Sequence, residues 1–207
     1  MSYTSILGDV RRYYDDKIKL HGATARGVDW NSSESQRLRF SELMKLCREP
    51  DRFSINDYGC GYGALLDFLV ERGYAFRYAG FDLSARMISA ARKLHAARAA
   101  DFVSKESKLQ AADYTVASGI FNVKLETKTT DWENYVLATV DSFARLSTKG
   151  FAFNLLTRYA DREFMRPDLY YADPLFFFDY CKTRYSGLVS VIHDYPLYEF
   201  TVLVRKE

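Results

Sequence analysis

Three observations predict an α/β fold: a mostly parallel sheet with helices on both faces, an antiparallel last strand and an N-terminal helical cap. Strands alternate with helices from Phe53 onward, closely spaced glycines join the first strand to its helix, and two apolar runs close the chain. The 207 residues suffice for one substantial core and would make two full domains cramped, so a cap over residues 1–47 and a single core over 48–207 are expected. Hydrophobic residues at 48% and charged residues at 27% are ordinary for a globular chain and argue against disorder.

The elements follow in order. Val10, Tyr14 and Ile18 share a face and predict a helix over Val10–Leu20. His21 to Ser33 is rich in Gly, Asp, Asn and Ser and reads as a loop. Ser33 with Gln36 fits a capping box opening a helix to about Cys47. Phe53–Asn56 reads as a strand, Ala64–Glu71 as the helix behind the glycine loop, and Tyr78–Phe81 as the next strand. A helix over Ala85–Arg98, a short strand at Phe102–Val103 and a strand at Tyr114–Ala117 come after it. Trp132–Leu146 is helical and Phe151–Leu156 is a strand. A polar and aromatic stretch, 157–173, then precedes a helix opening at Pro174. Gly187–Ile192 and Tyr198–Val204 form the closing hairpin.

The loop Asp57-Tyr58-Gly59-Cys60-Gly61-Tyr62-Gly63 carries the chemistry. Glycines after a strand let the backbone turn into a helix and let a ligand approach its free N–H groups. Gly59, Gly61 and Gly63 alone also satisfy a relaxed dinucleotide fingerprint. Asp57 argues against that, because a carboxylate there would crowd a pyrophosphate but welcome a cation. Asp82, ending the second strand, suits a pair of ribose hydroxyls, a role that dinucleotide enzymes share. Each acid has a plainer role open to it: Asp57 as a loop cap, Asp82 with Ser84 as a helix cap.

These stretches, with Tyr78-Ala79-Gly80-Phe81-Asp82-Leu83-Ser84-Ala85-Arg86-Met87-Ile88 and Ala112 to Asn122, resemble the class I S-adenosylmethionine-dependent methyltransferases, and the segment from Trp30 through Gln36 to Phe40 resembles the N-terminal cap of small bacterial members. The resemblance spans nearly the whole chain. It implies a Rossmann-like, seven-stranded sheet with an antiparallel last strand, and S-adenosylmethionine as cofactor with S-adenosylhomocysteine as product. By that resemblance Gly59, Gly61 and Gly63 face the methionine portion with Asp57 near its ammonium, Asp82 holds the ribose, and Leu83 and Met87 flank the adenine. Asp101 and Phe102 stand where the family places an acid for the adenine amino group and its neighbour, and Ser118 lies beside the cofactor. Trp30, Gln36 and Arg39 close over it, although Gln36 serves equally as a helix cap.

On the acceptor side, residues after the fourth, fifth and sixth strands are candidates, because ligands in this fold lie beyond the C-terminal strand ends. His193 is the candidate base, with a local turn role as the alternative, and His21 is a weaker one. Asn122 is a candidate for positioning the acceptor. Residues 157–173 combine aromatics with arginines and read either as a substrate-covering insertion or as a packed surface loop.

The formal net charge of +2 lacks the clustered basic face of a nucleic-acid binder. Cys47, Cys60 and Cys181 show neither zinc spacing nor a disulfide framework, so no metal and a reducing cytoplasm are expected. No apolar run approaches the roughly 20 residues of a membrane span and no signal peptide is visible. The expected function is methyl transfer to an O or N atom of a small molecule. An RNA or protein methyltransferase and a non-catalytic S-adenosylmethionine-binding module are the alternatives, a dinucleotide oxidoreductase comes last, and oligomeric state is open.

Overall fold

A computed structural model describes residues 3–30, 32–47 and 52–206. The boundary expected between cap and core after Cys47 falls next to residues 48–51, outside the described residues. The helices are α1 (Tyr3–His21), α2 (Ser33–Met44), α3 (Ala64–Glu71), α4 (Ala85–Leu94), α5 (Thr129–Leu146) and α6 (Pro174–Arg184). The strands are β1 (Phe53–Tyr58), β2 (Phe76–Phe81), β3 (Ala100–Val103), β4 (Ala112–Ala117), β5 (Ser147–Thr157), β6 (Tyr171–Ala172), β7 (Leu188–Ile192) and β8 (Glu199–Arg205).

The sheet runs β3-β2-β1-β4-β5-β8-β7. Strands β1 to β5 pair in parallel, and β8 lies antiparallel to both β5 and β7. This is the mostly parallel sheet with an antiparallel last strand that the alternation predicts. The eighth strand, β6, is a two-residue addition. Because β5 outruns β4, Leu156 and Thr157 have a free edge that Tyr171 and Ala172 fill in parallel.

Local differences from the sequence expectation have simple causes. Helix α1 begins at Tyr3 rather than Val10, because Ile6 lengthens the buried stripe that Val10 and Ile18 continue. The residue capping α2 is Ser32, whose Oγ accepts from Ser35 N at 3.1 Å; Ser33 is the first helical residue, which leaves Gln36 free of the capping box. Helix α5 passes into β5 without a loop, with Ser147 Oγ donating to Phe143 O at 2.7 Å. The loop expected over 21–33 contains a short 3-10 turn at Ala25–Val28, capped by Thr24.

Each face of the sheet carries its own core. On one side Phe121, Trp132, Phe143, Phe151, Phe153, Phe177 and Phe200 form a continuous aromatic layer with α5 and α6. On the other, Leu43 of α2, Leu65 and Leu69 of α3, and Ile88 of α4 pack on Ile55, Tyr78, Phe102 and Val116. Much of the aromatic content is therefore structural, and burying such rings drives folding. Phe143 touches Tyr58, Phe121, Phe151 and Phe153 within 6.3 Å of ring centroid. Phe143→Ala is expected to cost about 3–5 kcal/mol of stability, read by chemical denaturation, since the surrounding rings cannot collapse into the space.

Candidate active site

The turn from β1 into α3 is stitched to the end of β2. Gly59 N and Cys60 N both donate to Phe81 O, at 2.7 and 2.9 Å. Gly61 N donates to Asp82 Oδ2 at 2.9 Å, and Ser84 N to Asp82 Oδ1 at 2.8 Å. Gly59 and Gly61 sit at φ 82° and 54°, where side chains are disfavoured. Space is short as well. A Cβ on Gly59 would lie 2.2 Å from Ile120, and one on Gly61 2.7 Å from Val28 of the cap. The glycines thus admit close approach by the loop after β4 and by the cap.

The two acids have different surroundings. Asp57 is 3% exposed and accepts a 2.6 Å hydrogen bond from the Tyr78 hydroxyl. Burial pushes its carboxyl up to about 7, against the pull of that hydrogen bond. Burial likewise pushes Asp82 up to about 6, opposed by the two backbone N–H donors. Asp82 opens onto a cavity beside the loop; Asp57 stays behind it.

That first cavity is lined by Gly59, Gly61, Asp82, Leu83, Met87 and Ser118, and on the cap side by Gln36 and Trp30. Tyr62 donates to Gln36 Oε1 at 3.2 Å, tying the cap to the glycine loop. The Ser118 hydroxyl is buried without a partner. Ser84, which caps α4 through Met87 N, also donates to Asp15 and so fastens α1 beside the cavity.

Several expected residues lie elsewhere. Gly63 caps α3 and has His95 and Phe102 where its Cβ would be. Phe102 packs beneath the loop, stacked on His95 at 5.7 Å and against Tyr78. Its neighbour Asp101 is exposed, since strand alternation turns it away from Phe102. Neither lines the cavity. His193 follows β7, the edge strand, and is exposed between the rings of Tyr159 and Phe200, outside this cavity and the one that adjoins it; its place at the sheet's active edge does not bring it to the centre. His21 ends α1 outside both as well.

A second cavity adjoins the first, sharing Tyr14, Val28, Trp30 and Gly119 with it. Asp29, Arg39, Asn122, Arg166 and Glu199 supply its polar wall. Arg39 belongs here rather than over the first cavity, because Glu199 holds it: Nε donates to Oε2 at 2.8 Å and Nη2 to Oε1 at 2.6 Å. Asn154 donates to the same carboxylate and accepts from Gly119 N at 2.8 Å. The Arg39 guanidinium lies 3.9 Å from the Trp30 ring centroid. Trp30 in turn occupies the space beside Gly119, whose Cβ would fall 2.1 Å from it.

Sequence reasoning missed Glu199, Asn154 and Asp29. A glutamate opening a largely apolar strand is a visible signal for Glu199, though its partner is 160 residues away. Asp29, at φ 63°, accepts from the Tyr13 hydroxyl at 2.6 Å and pairs with Lys17. Tyr14 was legible only as part of the buried stripe.

The family model described as a methyltransferase domain matches residues 55–142. Rv1506c of Mycobacterium tuberculosis, which carries a methyltransferase name, is 52% identical over 164 residues, covering 79% of this chain and 99% of that relative. The fold is similar to that of magnesium protoporphyrin IX methyltransferase from Synechocystis, crystallised with bound S-adenosylmethionine (TM-score 0.65, 12% identity, 97% of each chain). It is also similar to a methyltransferase from Leishmania major (TM-score 0.62, 14% identity, 97% of this chain and 82% of that one). The chain belongs to the class I S-adenosylmethionine-dependent methyltransferases, and S-adenosylmethionine is its cofactor.

Removing one partner of the buried pair leaves an uncompensated charge, so Arg39→Met or Glu199→Gln is expected to cost about 3–5 kcal/mol in denaturation, with the double substitution recovering part of it. The raised pKa of Asp57 has a sign. Its protonated form stabilises the folded chain below about pH 4, and that contribution is lost as pH rises through about 7. The thermal midpoint of Asp57→Asn minus that of the natural chain should therefore increase between pH 5 and 8, and a constant difference would refute the assignment.

Proposed function

We propose that this protein moves a methyl group from S-adenosylmethionine to an oxygen or nitrogen atom of a small molecule bound in the second cavity. The observation that carries this reading is the pair of abutting cavities, one beside the glycine loop and one with a polar wall, sharing Trp30 and Gly119.

The first cavity's residues fit the cofactor. Each Asp82 oxygen holds one backbone N–H and keeps a lone pair for a ribose hydroxyl. Leu83 and Met87 give an apolar wall for an adenine, and the unpartnered Ser118 hydroxyl offers a polar contact. Asp57, next to Asp82 and buried, supplies negative potential behind the loop, which suits a cation and disfavours a phosphate. The bound cofactor supplies an electrophilic methyl group, so the protein's task is to hold, align and exclude water.

Trp30, clamped between Arg39 and Gly119, sits where the two cavities meet and orients whatever reaches from one to the other. Asn122, 6% exposed, fixes the acceptor side. The Tyr14 hydroxyl, pushed well up by burial, keeps its proton and acts as a donor. The formal charge of +2 and the partly enclosed second cavity favour a small acceptor over a nucleic acid. Tyr14, Val28 and Trp30 line both cavities, so the described part of the N-terminal segment reads as a cap over them. Three free cysteines suit a reducing cytoplasm.

Calorimetry should find tight S-adenosylhomocysteine binding and no comparable NADH binding; the reverse would overturn the reading. Asp82→Ala is expected to weaken S-adenosylhomocysteine binding by about 1.5–3 kcal/mol, and unchanged affinity would refute its ribose role.

A further inference from the structure

The wall of the second cavity is electrically closed. Arg39 is paired with Glu199, Asp29 with Lys17 and Arg166 with Asp168, so every charge lining it already has a counter-charge. A carboxylate or phosphate entering would meet only guanidinium groups already neutralised, and an amine only carboxylates already neutralised, each after losing its own hydration.

Two polar atoms in that wall are left over. Arg39 Nη1 and Asn122 Oδ1 are buried with no hydrogen-bond partner, on side chains 7% and 6% exposed. One is a donor and the other an acceptor, and leaving either unmet is costly. A hydroxyl group can accept from the first or donate to the second, and neither bond disturbs the Arg39–Glu199 pair. Beside the paired charges the wall carries Val123, Leu156 and Leu169, with the Trp30 ring at the boundary. Apolar patches set among neutralised charges and isolated hydrogen-bonding points match a molecule whose C–H faces alternate with hydroxyls.

We propose that the methyl acceptor is an uncharged polyhydroxylated small molecule of carbohydrate type, with its hydroxyls held by Arg39 Nη1 and Asn122 Oδ1. This rests on the second cavity being the acceptor site of the methyl-transfer reading.

The test is a binding panel on the full chain saturated with S-adenosylhomocysteine, by ligand-observed NMR and calorimetry. The probes are common neutral methyl pyranosides, the matching uronates, amino glycosides and sugar phosphates, and a simple phenol. At least one neutral glycoside should saturate, about tenfold or more tighter than its charged counterparts and the phenol, and Asn122→Ala should weaken it by about tenfold while S-adenosylhomocysteine affinity and the thermal midpoint hold. A charged counterpart or the phenol binding more tightly, no glycoside saturating, or Asn122→Ala leaving glycoside affinity intact would each overturn the proposal. Should Asn122→Ala fail to fold, the selectivity of the natural chain decides alone. Failure of the natural chain to bind S-adenosylhomocysteine at all would instead overturn the methyl-transfer reading.

Discussion

The buried ion pair between Arg39 and Glu199 ties this molecule together. It joins the cap helix α2 to the last strand of the sheet, with side-chain exposures of 8% and 1%. Two charges so far from water hold only because the geometry is bidentate and because Asn154 meets the carboxylate as well. Asn154 then fixes Gly119, Gly119 admits Trp30, and Trp30 packs under Arg39. The ring of contacts closes on itself. It positions the residues shared by the two cavities, so the second cavity depends on a contact far from the glycine loop.

The cofactor side has a different economy of parts. Its shape comes from backbone: the loop N–H groups bound to Phe81 O and Asp82, and glycines where neighbouring elements press closest. Its electrostatics come from two carboxyls that burial pushes up, Asp57 to about 7 and Asp82 to about 6. A cation beside them favours their ionised forms, so the loop discriminates by charge as well as by shape.

The alternation of strands and helices was legible because it is written locally. Helix α3 spans the residues its pattern marks, and the closing hairpin emerges as β7 and β8. Elements whose limits depend on neighbours were less legible: α1 reaches back to Tyr3 because Ile6 finds the core, and β6 exists only because β5 outruns β4. In the site, Gly59, Gly61, Asp82, Leu83, Met87 and Ser118 could be named from three short motifs and the family they resemble, and they gather at one cavity. Asp101, Phe102 and His193 could not be placed so, since strand alternation and edge position turn them elsewhere.

By itself the sequence determined the architecture and the nature of the methyl donor's cradle, because periodicity, glycine spacing and acids at strand ends act over a few residues. Tertiary structure alone decided the second cavity. Arg39 and Glu199 lie 160 residues apart, and Trp30 meets Gly119 only once the cap has folded over the sheet. Contacts of that sequence separation leave no periodic trace in the chain, so which charges are paired, and which polar atoms remain for a ligand, is set only when the layers close.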